Sequence, residues 1–198
     1  MKIGGEIQDL IKALGRIQGF GNRSAVRAAI SLVSDRDGRL AALHDALSKV
    51  RETVRRCPIC GAFDTQSPCS VCSDASRDGK VLCIVEDISD LWAMERGGIY
   101  NGRYHVLGGI LSAIQGVTPD DINVATLKSR VVGEGVAEVI LALPVTIDAK
   151  ITAHYIAELI RDTGVRITEL AHGVPIGGEL NYLDEGTIEE ALKGRRSV

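Results

Sequence analysis

The chain has 198 residues, of which 45% are hydrophobic and 25% are charged, and its formal net charge at pH 7 is −3. This length allows one large domain or two small ones. No apolar run approaches the ~20 residues of a membrane-spanning helix, and the N-terminus lacks the apolar segment of a signal peptide. We therefore expect a soluble, cytoplasmic protein with no membrane partner.

Charge is distributed unevenly along the chain. Residues 1–56 carry 11 Lys and Arg against 6 Asp and Glu, whereas residues 57–198 carry 12 against 20. A basic first part suggests an anionic partner, although an ordinary solvated helix surface would look the same. Aromatic residues make up only 4% of the chain, which argues against a platform that stacks the bases of single-stranded nucleic acid. If DNA binds, we expect contacts to its phosphates.

Helical periodicity dominates the first part of the chain. Apolar positions three and four residues apart predict helices at about residues 6–15, 23–33 and 38–54. The third helix carries an apolar stripe composed of Leu40, Leu43, Leu47, Val50 and Val54. Such a stripe is usually core, and with this spacing it is also suited to packing against a partner helix.

A glycine-rich turn separates the first two predicted helices. Gly19 and Gly21 flank Phe20, a pattern typical of a helix–hairpin–helix motif. Asn22 is a plausible cap for the second helix, whose free N–H groups would form an anion site suited to a DNA phosphate. Arg23 and Arg27 share one face of that helix and could bind neighbouring phosphates. A plain helical corner with two surface arginines is the alternative.

Two cysteine pairs follow the basic part. Cys57 and Cys60 form one Cys-x-x-Cys pair, and Cys69 and Cys72 form the second. Four thiolates in this spacing favour one structural zinc ion per chain, which leaves no open coordination position for catalysis. Two disulfides would require an oxidising compartment, and an iron–sulfur cluster is the other alternative. The fifth cysteine, Cys83, lies in an apolar run and is expected to be buried.

The rest of the sequence predicts an α/β fold. Short apolar runs rich in β-branched residues predict strands at about residues 80–85, 104–107, 139–143 and 165–170. Helical patterns lie around residues 91–94 and at about 120–132, 150–162 and 187–192. Continuous apolar strands that alternate with helices indicate a parallel sheet with helices on both faces.

Acidic residues follow two of these strands. Glu86 ends the first strand, Asp87 and Asp90 come next, and Asp148 follows the third strand. Because the carboxyl ends of parallel strands meet at one edge, a carboxylate trio there could hold magnesium for phosphoryl chemistry. Lys150 would repel a metal, so contact with a partner is the stronger interpretation. The glycine-rich loop at residues 173–180 is better explained as a turn that docks the tail helix than as a nucleotide site.

Taken in order, these segments resemble the RecR family of bacterial recombination mediators over nearly the full length. Besides the four cysteines, the matching segments are residues 19–25, 84–86, 102–107, 119–122, 152–156 and, most specifically, 171–180. The resemblance implies four parts: a helix–hairpin–helix head at 1–56, a zinc motif at 57–72, a Toprim domain at 79–173, and a C-terminal loop and tail helix at 174–198.

The resemblance also implies a function and partners. It implies a homotetrameric ring that clamps DNA and acts with RecO and RecF to load RecA onto gaps coated by single-strand-binding protein, in the bacterial nucleoid. It implies no catalysis. Arg23 and Arg27 fall on positions that face DNA, and Glu86 and Asp148 fall on positions that contact RecO. The family has a carboxylate where this chain has Lys150.

Two other function classes stay open at this point. A Toprim-type magnesium-dependent enzyme that cleaves or joins DNA strands would need a complete acidic set and usually a tyrosine nucleophile. A zinc-dependent transcription regulator would need a helix that reads bases.

Overall fold

A computed structural model describes residues 4–171 and 173–195 of the chain. His172, within the segment most typical of the family, and the outermost residues of the predicted head and tail lie outside the described residues. The chain divides into two compact units, Met1–Val54 and Arg55–Val198.

The first unit is helical. Its helices are α1 (Gly5–Gly15), α2 (Asn22–Val33) and α3 (Ala41–Thr53). The predicted third helix began at Gly38, but a π-helical turn over Arg36–Leu40 stands there instead. The turn forms because the amide of Leu40 donates to the carbonyl of Asp35, five residues earlier.

The packing of the first unit is sparse. Among its described residues, Ala25 and Ala29 of α2 are the buried hydrophobics, and α3 buries none. Three residues of the predicted stripe are exposed instead, Leu43 by 38%, Leu47 by 61% and Val50 by 55%, whereas Leu40 and Val54 are half-buried. The middle of the stripe is therefore not core within the first unit.

The second unit contains the strands and the remaining helices. Its strands are β1 (Arg55–Arg56), β2 (Phe63–Asp64), β3 (Asp78–Val85), β4 (Gly102–Val106), β5 (Glu138–Ala142) and β6 (Arg166–Glu169). Its helices are α4 (Ser70–Ser73), α5 (Ile88–Gly97), α6 (Leu127–Gly133), α7 (Ile147–Ile160) and α8 (Glu185–Lys193). Short 3-10 turns lie at Pro119–Asp121, Arg161–Thr163 and Leu180–Tyr182.

Four strands form one parallel sheet in the order β4-β3-β5-β6. Strand β3 is central, and its residues alternate between the two faces. Leu82 and Ile84 join a core cluster with residues of α6 and α7, whereas Cys83 and Val85 join a second cluster with Leu91 of α5. The predicted parallel α/β sheet with helices on both faces is confirmed.

The zinc motif covers part of one face of this sheet. Strands β1 and β2 form an antiparallel pair, and Cys57, Cys60 and Cys69 belong to the same buried cluster as Cys83. Cys83 is fully buried, as predicted. The cysteine motif is thus part of the core of the second unit.

One predicted helix is shorter than expected. The apolar pattern predicted a helix over residues 120–132, but only Leu127–Gly133 is α-helical, after the 3-10 turn at Pro119–Asp121. Between them, Asn123 uses its backbone and side chain to extend the edge of β4: its amide donates to Leu107 O (2.8 Å) and its Nδ2 to Val106 O (3.1 Å). These bonds replace the helical ones.

No helix within residues 4–171 and 173–195 combines the length and apolar character that crossing a membrane requires.

Candidate metal centre and nucleic-acid interface

The four predicted cysteines converge on one point. Their Sγ atoms all lie within 4.8 Å of one another, and those of Cys60 and Cys69 are 3.5 Å apart. A tetrahedral zinc–thiolate site, with Zn–S bonds of about 2.3 Å, requires sulfurs at about 3.8 Å from each other. The cluster therefore fits one zinc ion, which favours the metal site over the two-disulfide alternative.

The local backbone orients these sulfurs. The amide of Ala62 points at Cys60 Sγ and that of Cys69 at Cys57 Sγ, each at 3.4 Å, and such N–H groups stabilise thiolates. Gly61 turns the first knuckle with φ +82°, and a Cβ there would come within 2.9 Å of Val106 O. A larger residue would thus strain the backbone and clash with β4.

The electrostatics of the cluster favour a bound cation. Hydrogen bonding from Cys72 is the largest influence on Cys60 and lowers its pKa to about 5, whereas burial raises the pKa of Cys69 to about 11. Once Cys60 is ionised, burial and its negative charge thus oppose the ionisation of Cys69. A bound divalent ion removes that conflict and allows all four to ionise.

A buried arginine, which sequence reasoning missed, connects the metal centre to the sheet. Arg130 of α6 is 8% exposed; its Nη1 donates to Tyr104 O (2.7 Å) and its Nε to Glu134 (2.9 Å). Arg130 Nη1 also approaches Ile59 O of the first knuckle at 3.5 Å. In addition, the amide of Val106 donates to Cys60 O at 2.7 Å. An isolated arginine in a helix carries no sequence signal for this role.

A buried histidine belongs to the same network. His105 is fully buried, and its Nε2 lies 2.5 Å from Asn123 O. Burial lowers the pKa of His105 to about 4, and the nearby Arg130 guanidinium contributes to the shift. The ring is therefore neutral at pH 7, and it serves the core rather than a ligand.

The glycine turn in the first unit differs in detail from its prediction. Gly19 has φ +85°, which favours glycine, but the residue that caps α2 is Gly21 and not Asn22, which is the first helical residue. Glycine has no side chain to accept from the helix, and no side chain caps it. The first N–H groups of α2 are therefore open to an anion.

Arg23 and Arg27 lie one turn apart on exposed positions of α2. Neither forms an ion pair with any residue that the structure describes. The uncapped helix end and two unpaired guanidinium groups thus occur together at the start of α2.

The acidic strand end is organised around Glu86. Glu86 is half-buried, and burial, followed by the charges of Asp90 and Asp87, raises its pKa. Asp87 and Asp90 form a capping box at the start of α5: Asp87 accepts from the amide of Ser89 (2.6 Å), and Asp90 accepts from that of Asp87 (3.2 Å). Two of the three acidic residues in this segment therefore stabilise the helix.

Asp148 lies at the same edge of the sheet, in the first turn of α7. Val85 and Ala142 are partners in the register of β3 and β5, so Glu86 and the segment leading to Asp148 leave the sheet side by side. Within residues 4–171 and 173–195, the only group of three or more potential ligands close enough for one metal ion is the four cysteines. The predicted carboxylate trio does not form such a group there.

Comparison with known proteins identifies three matching families. The family model of the four-cysteine zinc finger domain of RecR matches residues 54–74, "Toprim domain" matches residues 80–171, and "RecR, C-terminal" matches residues 173–196. The first match agrees with the cysteine geometry and identifies the metal as zinc. The second covers the four-stranded sheet.

Full-length relatives give the same result. The chain is 53% identical over 194 residues to "Recombination protein RecR" of Rhodospirillum rubrum, covering 98% of both chains. It is 53% identical to the protein of that name from Caulobacter sp. (strain K31), covering 98% of this chain and 96% of the other. It is 52% identical to the protein of that name from Erythrobacter litoralis, covering 98% of both chains. With its zinc motif, its Toprim domain and such relatives along nearly its whole length, the chain belongs to the RecR family.

Proposed function

We propose that this protein is a non-catalytic DNA clamp in recombinational repair, acting with RecO and RecF in the cytoplasm to help load RecA onto gapped DNA coated by single-strand-binding protein. Its membership of the RecR family supports a role in recombination. The observation that carries the DNA-binding part is the uncapped start of α2 beside two unpaired arginines, Arg23 and Arg27.

The first unit supports phosphate contacts rather than base recognition. A helix N-terminus with free N–H groups attracts a phosphate, and guanidinium groups one turn apart match successive charges on a DNA backbone. Such contacts position a protein without sequence preference. This is the behaviour expected of a clamp, and it disfavours a sequence-specific transcription regulator.

The exposed stripe of α3 supports assembly into a homotetramer. Leu43, Leu47 and Val50 leave apolar surface in water on one side of a helix. A second copy of the chain would bury this stripe through its own equivalent, as in two-fold symmetric helix pairs. Assembly would also bring several Arg23 and Arg27 pairs to one DNA.

The acidic strand end supports contact with a basic partner, which we assign to RecO. Glu86 and Asp148 lie at one edge, and the capping role of Asp87 and Asp90 leaves Glu86 as the residue without a structural function there. The alternative, a magnesium-dependent Toprim nuclease or strand-joining enzyme, has less support. Tyr100 and Tyr104 donate their hydroxyl protons to other groups, Tyr104 to Glu95 at 2.8 Å, and burial raises the pKa of both.

The test is a double substitution, Arg23→Ala with Arg27→Ala. We expect weaker binding to DNA of any sequence, and a dependence of log K on log salt that flattens by about 0.9 for each phosphate no longer bound. Fluorescence anisotropy of labelled duplex and gapped DNA at several salt concentrations measures both quantities. Unchanged binding at moderate salt would refute the assignment.

The matched control is Lys12→Ala with Lys49→Ala, which removes two cations from the same unit but not from the start of α2. If both double variants lose the same affinity and slope, general charge rather than this site binds DNA. Incubation of the wild-type protein with DNA and magnesium tests the enzymatic alternative. Cleaved or joined products that disappear with Glu86→Ala would support that alternative.

A further inference from the structure

The two cysteine knuckles of the metal centre are held in place by different kinds of bond. The first knuckle, Cys57–Cys60, is fixed through its main chain. The amide of Val106 in β4 donates to Cys60 O at 2.7 Å, and the amide of Cys57 donates to Ala62 O at the same distance. The backbone at both ends of this pair is therefore attached to the core of the second unit.

The second knuckle, Cys69–Cys72, has no comparable backbone attachment. Among the described residues, the backbone of Cys69–Ser73 bonds only to itself, for example from the amide of Ser73 to Cys69 O at 2.9 Å. Cys72 is also the least buried of the four ligands, since it is half-buried whereas the other three are buried. The second knuckle is therefore the more weakly attached half of the metal centre.

Asp64, the last residue of β2, supplies the attachment that the backbone lacks. Its Oδ2 accepts from the amide and the hydroxyl of Ser70, at 2.7 and 2.8 Å. Ser70 follows Cys69 directly and is the first residue of α4. Oδ1 of the same carboxylate accepts from the amides of Thr65 (2.6 Å) and Gln66 (3.3 Å). One side chain thus joins the two ends of the loop that separates the knuckles.

The chemistry of these bonds favours a firm attachment. The amide and hydroxyl of Ser70 lower the pKa of Asp64 to about 2, so the group is a carboxylate at neutral pH. Hydrogen bonds to an ionised acceptor are shorter and stronger than those between neutral groups. Cys69 precedes α4 but does not cap it with its own side chain. Asp64 therefore satisfies, from another segment, an amide at the start of the turn that carries Cys72.

We propose that Asp64 is a positioning residue of the zinc centre. Acting through Ser70, it holds the turn that carries Cys69 and Cys72 in the arrangement that binds the metal, and zinc release begins at this second knuckle. Residues that orient metal ligands through hydrogen bonds commonly control metal affinity without touching the metal. The four cysteines already supply a complete tetrahedral set, so Asp64 is not needed as a ligand.

Zinc affinity of the full-length protein tests the first part of the proposal. Asp64→Asn is nearly isosteric, but its single acceptor oxygen can face Ser70 or the amides of Thr65 and Gln66, not both. Competition with a chromophoric chelator should show zinc binding that is about 10- to 100-fold weaker than in the wild type.

Substitution of Co²⁺ for zinc adds a spectroscopic readout. Because the four ligands are unchanged, Asp64→Asn at saturating Co²⁺ should give the visible absorption of the wild-type tetrathiolate complex. It should, however, require more Co²⁺ to reach saturation. A weaker site with an unchanged spectrum is the result expected of a positioning residue rather than of a general loss of folding.

Alkylation of the cysteines tests where release begins. A chelator is added together with a thiol-alkylating reagent, and mass spectrometry of the peptides identifies the cysteines that react at each time. Cys72 and Cys69 should be modified before Cys57 and Cys60. Asp64→Asn should accelerate the modification of the first two and preserve this order.

Two further variants serve as controls. Ser70→Ala removes the hydroxyl donor without changing any charge, and it should weaken zinc binding in the same direction by about 5-fold. Asp184→Asn is the matched control, because Asp184 accepts from the amide (3.0 Å) and the hydroxyl (2.6 Å) of Thr187 at the start of α8. It should leave zinc affinity and the order of alkylation unchanged.

Several results would overturn the proposal. Wild-type zinc affinity in both Asp64→Asn and Ser70→Ala would do so, as would an equal loss of affinity in Asp184→Asn. Loss of the tetrathiolate spectrum at saturating Co²⁺ would assign Asp64 to folding in general. Alkylation of Cys57 or Cys60 before Cys72 would show that the metal is not released from the second knuckle.

Discussion

The two units of this protein differ in how much apolar surface they bury. In Arg55–Val198, a parallel sheet has residues such as Leu82 and Ile84 fully buried, and the zinc motif closes part of one face. In Met1–Val54, the buried hydrophobics among the described residues are two alanines, while an apolar stripe and several arginines face solvent. The second unit thus has an extensive core of its own, whereas the first has a small one and an exposed apolar stripe.

The same contrast holds for charge. In the second unit, Arg77, Arg103 and Arg130 each bond to a glutamate, and their side chains are at most 28% exposed. Arg23 and Arg27 of the first unit are exposed and unpaired with any described residue. These three arginines of the second unit therefore serve stability, whereas Arg23 and Arg27 are available for recognition. Substitutions in the two units should differ accordingly.

The largest effect is expected at the metal centre. Cys60→Ser removes the most buried ligand and should release the zinc, whose binding contributes about 10–16 kcal/mol in small finger peptides. Because the motif is part of the core beneath β3 and β4, the second unit should lose cooperative unfolding. Zinc per chain, measured by plasma mass spectrometry, and calorimetry test this.

Cys83→Ala is the control for that experiment, since it removes a buried thiol outside the metal centre. It should retain one zinc per chain and a single unfolding transition. A Cys60→Ser protein that lacks zinc yet melts like the wild type would mean that the motif does not stabilise the second unit.

A smaller loss is expected at the buried arginine. Arg130→Met keeps the aliphatic part of the side chain but leaves Tyr104 O without its donor and removes one of the two partners of Glu134. We expect the free energy of unfolding to fall by about 3 kcal/mol, because polar groups with little access to water lose a charged partner. Urea denaturation measures this change.

Arg161→Met is a matched control, because that arginine is exposed and pairs only within one helical turn with Glu158. Its cost should be at most about 0.5 kcal/mol. Equal losses in the two variants would show that the Arg130 network is not important for stability.

The stability of the second unit should also depend on pH through His105. Its pKa is about 4 in the folded protein, below the ordinary 6.5, so the unfolded chain binds a proton between these values and the folded one does not. Stability is therefore complete above pH 6.5 and decreases as pH falls toward 4, with a loss of about 2 kcal/mol at pH 5. Denaturation of wild type and His105→Gln at several pH values measures the contribution.

The exposed His44 provides the comparison. His44→Gln should retain the pH dependence of the wild type between pH 8 and pH 5, whereas His105→Gln should flatten it. If His105→Gln has the wild-type slope, another group causes the acid sensitivity.

Regular and irregular segments differ in how far the sequence predicts them. The sequence predicts the four strands of the parallel sheet to within two residues, because continuous apolar runs such as residues 81–85 are typical of a strand buried on both faces. The short strands β1 and β2 are not predicted. The four cysteines were found because their spacing alone encodes one metal site. In both cases the signal is local in the sequence.

Most errors arose where a distant segment determines the backbone. The helix predicted over residues 120–132 failed because Asn123 bonds to β4, and the role of Arg130 beside the metal centre depends on a contact with the remote Ile59. The error at Arg36–Leu40 is instead local, because the bond from the amide of Leu40 to Asp35 O has no sequence signature.

The smallest effect on the folding of a single chain is expected on the stripe of α3, where the contrast between the units is sharpest. Leu47 is 61% exposed, so Leu47→Asp removes no core contact within the chain, and the helical content should stay unchanged. If α3 pairs with a second copy, however, the new carboxylate becomes buried against an apolar partner, and the solution mass should fall to that of a smaller species.

Ala42→Asp introduces the same charge on the same helix but away from the stripe, and it should retain the wild-type mass. Sedimentation equilibrium with circular dichroism distinguishes the possibilities: a wild-type mass for Leu47→Asp would mean that the first unit is completed by DNA or another protein rather than by a copy of itself.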